Sequence, residues 1–247
     1  MNLSLVLGLA ARNLFRNTRR TLITSVAVVA GVAVLIVGWG LVDGLDENVI
    51  RAQEDTVSGH VLLRPAGYPT DSRSFPLSST QIVDADTLTA LSTSDVAAWA
   101  PRLLFAAQAT LQAPSDPSRE VALETIQVRG IGFDPSRENA VFPREDWVLE
   151  GDWPSGGRQI VLGHTLAEMM GVQIGDTIDL KVRMKARAQT DEDTEGSVNL
   201  LDYRVDGIVQ TRNIAIDSVA IWITLDEADA LLGTDGDRSH VAIRLSS

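Results

Sequence analysis

From Leu22 to Val42 the chain reads LITSVAVVAGVAVLIVGWGLV, 21 residues without an ionisable side chain. A helix of that length is about 30 Å long, the thickness of a bilayer's hydrocarbon core, and it satisfies its own backbone polar groups. The pattern predicts a transmembrane helix over 22–42. Before it, Leu3, Leu7, Ala10 and Leu14 recur at steps of four, three and four as one apolar stripe, and Arg12, Arg16 and Arg19 recur on another face. Residues 1–21 therefore read as an amphipathic basic helix on the membrane surface, with Arg12, Arg16, Arg19 and Arg20 turned to lipid phosphates. A short basic tail that only fixes topology has the same composition. Within the span, Thr24, Ala27, Gly31, Val34 and Gly38 fall on one face, small enough for another membrane helix to approach. Past it, Leu41, Leu45, Val49 and Ala52 carry an apolar stripe onward, which predicts a rigid amphipathic stalk over 43–56.

The patterning changes character at Val57, where strand signals begin (VSGHVLLR). Arg64 to Thr80 holds Pro65, Pro69 and Pro76 among Gly, Ser and Asp and reads as an irregular loop. Asp84 is placed to cap a short helix. Arg102–Gln112 and Glu120–Gly132 read as a long hairpin with a Pro/Ser/Asp tip. Further on, RQIVLG is a strand, and Thr165 to Glu168 has the spacing of a capping box opening a helix that ends at Gly171. Ile178, Leu180 and Val182 alternate with polar residues, as do Tyr203, Val205 and Val209. VAIWI (219–223) is apolar at every position, the mark of a central strand. A second capping box, Thr224 to Glu227, opens a helix closed by Gly233, and Val241, Ile243 and Leu245 form the last strand. The fold class is α+β: one N-terminal transmembrane helix with a stalk, then a domain of mixed strands and short helices.

Charge adds orientation. Residues 1–21 carry four arginines and no acid, so the N-terminus is expected in the cytoplasm and the remainder outside. The apolar run exceeds that of a cleaved signal peptide, and no small-x-small site follows Val42. The part placed outside holds 17 basic and 33 acidic residues, a formal charge of −16, which repels nucleic acid and anionic lipid. With no cysteine there is no disulfide and no thiolate metal site.

A search for chemistry returns little. No GxxxxGK[ST], GxSxG or HExxH occurs, so no catalytic, cofactor or metal residues are assigned. His60, His164 and His240 stand alone in the sequence and read as packed or surface histidines. Asp191, Asp193, Glu195 and Gly196, with Asp202 at the twelfth position, copy part of a calcium-loop spacing. Strand-like flanks and the missing bidentate Glu favour a solvated hairpin tip.

Three blocks carry a resemblance. ARNLFRNTRRTLIT runs into the span and on to GLVDGLDENV; LEGDWPSGGRQIVLGHTLAEMMGVQIGDTIDL and YRVDGIVQTRNIAIDSVAIWITLDEADALLG follow in order. Together they resemble the permeases of the MacB, LolC/LolE and FtsX group, the type VII (mechanotransmission) ABC transporters. The resemblance implies a two-lobed periplasmic core domain over 57–247, one lobe of about 57–128 plus 240–247 and the other of about 129–239. It implies a bacterial inner-membrane location and a second permease chain as homodimer or heterodimer partner. It also implies a separate cytoplasmic P-loop ATPase that binds ATP and Mg, and lipoprotein release or export as the work done, with a periplasmic adaptor or lipoprotein substrate as a further partner. Such permeases usually carry four spans, three of them after the periplasmic domain, so the sequence to Ser247 corresponds to a permease subunit or its N-terminal part. The alternative is a single-pass anchored periplasmic binding or scaffold module without an ATPase.

Overall fold

The computed structural model describes residues 18–69, 75–119, 124–185 and 197–246. Arg12, Arg16 and the acidic run 191–196 lie outside them. The described chain divides into two compact units, 1–50 and 51–247.

The first unit holds most of helix α1, Thr18–Gln53. It continues without a break through the stretch read as span and stalk. Thr18–Leu41 is, among the described residues, the one helix long and apolar enough to cross a membrane, and none of it is buried against protein. Every position from Leu22 to Leu41 is exposed, as expected of a helix whose apolar surround is lipid rather than protein.

In the second unit, α1 widens into a π-helical turn, Glu54–Ser58, before strand β1, Val61–Leu63. Then follow β2 (Gln81–Ile82), α2 (Ala85–Ala90), β3 (Val96–Ala113), β4 (Thr125–Phe133), α3 (Glu138–Val141), β5 (Val148–Gly151) and β6 (Gln159–Gly163). The chain ends with α4 (His164–Met170), β7 (Thr177–Arg183), β8 (Val198–Val209), α5 (Ile214–Asp217), β9 (Ala220–Thr224), α6 (Leu225–Leu232), β10 (Asp237–Arg238) and β11 (His240–Leu245). Nine strands form one sheet in the order β1-β11-β3-β4-β9-β6-β8-β5, and β7 bridges β3 to β8. That bridge closes a circuit of six strands, β3, β4, β9, β6, β8 and β7. A small β2–β10 ribbon stands apart.

Side-chain alternation sorts the core into two layers. Leu103, Phe105, Ala107, Ala109 and Leu111 of β3 face inward with Ile160 and Leu162 of β6, Ile178 and Leu180 of β7, and Ile221 and Ile223 of β9. Helix α6 supplies Leu225, Ala228, Leu231 and Leu232 to the same cluster, so it fills the strand circuit. On the other face Ala100, Phe133, Phe142, Val161, Ala220 and Trp222 form a second cluster. Trp153 is its aromatic hub, with ring centroids 5.4 Å from Phe133, 5.9 Å from Trp222 and 6.2 Å from Trp147. Being buried on both faces is why β9 reads as an unbroken apolar run.

Two helix starts differ from the sequence reading. Helix α4 begins at His164 straight out of β6, with Gly163 at the cap and no side-chain cap bond, so Thr165 lies inside the first turn. Thr224 does stand at the cap of α6, but its hydroxyl is buried without a hydrogen-bond partner. Asp84 caps α2 as expected, accepting from the Thr87 amide at 2.8 Å. The long hairpin is β3–β4, paired from Arg102↔Phe133 to Thr110↔Thr125.

Inside the circuit, β4 makes room by omission. A Cβ at Gly130 would lie 2.0 Å from the Phe105 ring, which is itself only 1 % exposed. Gly130→Val is expected to cost about 2 kcal/mol or more through overpacking. The check is the thermal midpoint of the full chain in detergent, expected to fall by about 5 °C or more.

Candidate functional site: the joint between helix and sheet

The described residues hold no group of three or more metal-ligating side chains. Their most concentrated buried polar chemistry lies where α1 ends. A helix leaves its last carbonyls without partners, and burying them demands donors from elsewhere. Thr56 is 2 % exposed. Its hydroxyl donates back to the Ala52 carbonyl at 2.5 Å, and the Gly59 amide donates to the Glu54 carbonyl at 3.0 Å, the wide ring of a π turn. The Thr56 carbonyl accepts from Arg102 Nη1 at 2.7 Å.

Arg102 is 1 % exposed, deep in β3 at the residue where pairing passes from β11 to β4, since it faces both His240 and Phe133. Its Nε donates to Glu138 Oε1 at 2.8 Å, and Nη2 bonds the same oxygen. The guanidinium plane lies over Phe142, 3.6 Å from the ring centroid. Glu138 reaches this spot because Asp134 folds the preceding loop: its carboxylate accepts from the Ser136 amide at 2.9 Å and its carbonyl from the Glu138 amide at 3.0 Å. Burial pushes the Glu138 carboxyl above its usual range, and the Arg102 charge pulls against that shift.

The strand after the turn is locked in by backbone. Gly59 has φ +61°, and a Cβ there would meet the Ile243 carbonyl at 2.8 Å, so only glycine fits. The His60 amide then donates to that carbonyl at 2.9 Å. Below the pair, the Ser239 amide and hydroxyl each donate to the Arg102 carbonyl at 3.0 Å, and the Leu104 amide donates to Ser239 Oγ at 2.9 Å. His240 Nδ1 is 3.0 Å from that hydroxyl. Burial, with repulsion from Arg102 and Arg64, pulls the His240 pKa down to about 3, so the ring is neutral at physiological pH.

A second buried carboxylate, Asp176, staples the β7 entrance. It accepts from the Ser115 amide at 2.6 Å and the Gln173 amide at 2.9 Å, and it pairs with Arg119. Burial raises its pKa, but these bonds outweigh it and hold the carboxyl below its usual range. In the sequence, Gly175 and Asp176 read as a turn before the strand, with no sign of these partners.

The residues singled out from sequence are placed as follows. Arg19 and Arg20 are exposed at the start of α1, where Thr24 donates to the Arg20 carbonyl at 2.7 Å. Ala27, Gly31, Val34, Gly38 and Leu41 are exposed. Leu45 and Val49 are helical in backbone, and their side chains lie outside the described set. Ala52 is half-buried and belongs to the joint through its carbonyl. The sequence reading did not single out Arg102, Glu138 or Thr56, and it left His240 isolated. Arg102 and Glu138 stand 36 residues apart, and no local spacing links them.

Comparison with known proteins places the chain. A family model described as the MacB-like periplasmic core domain matches residues 21–247. The chain belongs to this family. MacB-like core domains are the periplasmic domains of ABC transporter permeases, so the blocks quoted from the sequence pointed to the right group. The solved extracellular domain of the noncanonic ABC-type transporter YknZ from Gram-positive bacteria is similar at 14 % identity and TM-score 0.45, covering 75 % of this chain and 82 % of that one. The periplasmic region of MacB from Actinobacillus actinomycetemcomitans is similar at 13 % identity and TM-score 0.45, over 75 % of this chain and 73 % of that one. A domain of a permease protein from Porphyromonas gingivalis gives 13 % identity and TM-score 0.37, over 62 % and 57 %. No curated protein matches.

Two measurements test this MacB-like joint. Arg102→Ala strands Glu138 in a dry site and is expected to destabilise the domain by about 3–5 kcal/mol, whereas Arg102→Met with Glu138→Leu recovers most of that loss. Denaturant melts of both variants check it. His240 makes the fold pH-dependent with a definite sign. Unfolded, it takes a proton below about pH 6.5; folded, it refuses one until about 3. Its contribution is complete above pH 6.5 and is lost as pH falls toward 3, with a slope approaching about 1.4 kcal/mol per unit. His240→Asn is expected to flatten the stability–pH curve in that window.

Proposed function

We propose that the chain is a permease subunit, or its N-terminal part, of an ATP-driven mechanotransmission ABC transporter. In this reading α1 crosses the bacterial inner membrane with Arg12, Arg16, Arg19 and Arg20 on the cytoplasmic side, and the domain 51–247 works in the periplasm. ATP and Mg are bound by a separate cytoplasmic P-loop subunit. A second permease chain faces Thr24, Ala27, Gly31, Val34 and Gly38, whose small side chains suit close helix approach.

The observation that carries the reading is the joint. A helix that merely anchored a domain would have no use for a buried ion pair gripping its last turn; a flexible linker anchors as well. Here α1 runs unbroken from Thr18 to Gln53, and Arg102 fastens the carbonyl of Thr56, three residues further on, to the middle of the longest strand. Rotation or translation of the helix is thereby passed to β3 and its neighbours. Lipoprotein release or export is the class of work that the family resemblance attaches to such movement, with a periplasmic adaptor or a lipoprotein as the recipient.

The test starts from the native gene product, extracted from its own membrane in mild detergent. A P-loop ATPase is expected to co-purify in stoichiometric amount. A flexible Gly/Ser insertion beside Asn48 is then expected to leave ATP binding intact and uncouple hydrolysis from periplasmic work. Retained coupling with the insertion would overturn the mechanical reading, and purification without any ATPase would establish an anchored binding module in its place.

A further inference from the structure

Next to the joint, the segment after β1, the start of β11, Arg238 of β10 and the β2–α2 segment border a half-open pocket of about 120 Å³. Its polar lining is Arg64, Gln81, Thr87, Arg238 and His240, the first four of them able to donate hydrogen bonds. Among the described residues no carboxylate lines it, in a chain with 33 acidic and 21 basic residues. Leu63, Ile82, Val83 and Val241 supply the apolar remainder.

The two guanidiniums differ in their commitments. Arg238 spends Nη1 on Asp229, at 3.0 and 3.2 Å, and on the Asp237 carbonyl at 2.7 Å. Arg64 is half-buried, stands 5.9 Å from the Tyr68 ring centroid, and has no ion pair among the described residues. His240 is of another kind: its neutral ring points Nδ1 at the Ser239 hydroxyl, whose proton goes to the Arg102 carbonyl, so the buried Nε2 is an acceptor without a partner.

We propose that this cavity binds a carboxylate carried on a small apolar group, with Arg64 as its counter-charge. The planar fork of a guanidinium suits a carboxylate's two oxygens, and the apolar wall suits a branched aliphatic stem. A dry cavity of about 150 Å³ accommodates benzene, so this one has room for about half a dozen heavy atoms. A leucine-like C-terminus of a peptide and a free branched short-chain acid present that same chemistry. Because the cavity is walled by the segment following the α1 turn and by the β11 strand that Arg102 faces, its occupant would tie together elements of the joint. The proposal stands apart from the transporter reading, and binding is measured without any ATPase.

The test titrates the full chain in detergent micelles by calorimetry with isovalerate and, separately, with isovaleramide. Saturable binding of the acid and none of the amide is expected, with affinity at least about tenfold weaker in Arg64→Gln and partly restored in Arg64→Lys. A pentapeptide ending in leucine, free or amidated at its C-terminus, identifies the source. Tighter binding of the free peptide assigns the site to chain ends, and binding of isovalerate alone assigns it to a small acid; both support a carboxylate site. An amide that binds as well as the acid would overturn the proposal. So would an Arg64→Gln variant with unchanged melting and unchanged affinity, or no saturation by any probe up to about 10 mM.

Discussion

The second unit depends on one buried charge pair. Arg102 and Glu138 sit at 1 % and 2 % exposure, where two ions cost several kcal/mol to desolvate and regain this only with good geometry. Arg102 uses all three nitrogens, two on Glu138 Oε1 and the third on the orphaned carbonyl of Thr56, over an aromatic ring, while Glu138 Oε2 is buried without a partner. Such a pair adds little net stability relative to apolar residues of the same volume. Its yield is directional, because a hydrocarbon contact at this point would tolerate sliding and a charged fork does not. The helix end, the loop bearing α3 and the middle of β3 are thereby held in one arrangement.

Around that point the rest of the domain supplies rigidity. The six-strand circuit packs its inner layer on α6, and the outer layer wraps the Trp153 cluster, so β9 and β6 are covered on both faces. His240 and Ser239 complete the floor beneath Arg102, and the neutral imidazole avoids adding a second cation there.

Much of this was readable in the residues, and the unreadable part has a common cause. The uncharged run 22–42 announces the long apolar helix that the structure shows, because that signal lies in local composition. VAIWI announces a strand covered on both sides, and Asp84 announces a cap, because those signals are local. What closes the circuit is β7 pairing with both β3 and β8, and alternation in Ile178, Leu180 and Val182 shows a buried face without naming the partner strand. The joint was silent for the same reason. Arg102 reads as one residue of a strand and Glu138 as one residue of a polar loop, and only tertiary structure brings them together across 36 positions. The capping boxes erred in the opposite sense: the spacing is present at Thr165 and Thr224, but the chain enters both helices directly from a strand, and no hydroxyl-to-amide bond forms.

β3 has a consequence for how the domain breathes. Its 18 residues are paired to β11 at one end, to β4 through the middle and to β7 at the other end, with the β4 register overlapping both neighbours. At about 3.3 Å per residue it is a ribbon long enough to cross a small domain. From Arg102 to Thr110 each changeover of partner is bridged by β4 on the opposite edge, whereas the register shifts near Val96 and near Ala113. Amides of the middle stretch therefore belong to one cooperative opening unit, and solvent enters at the two ends first.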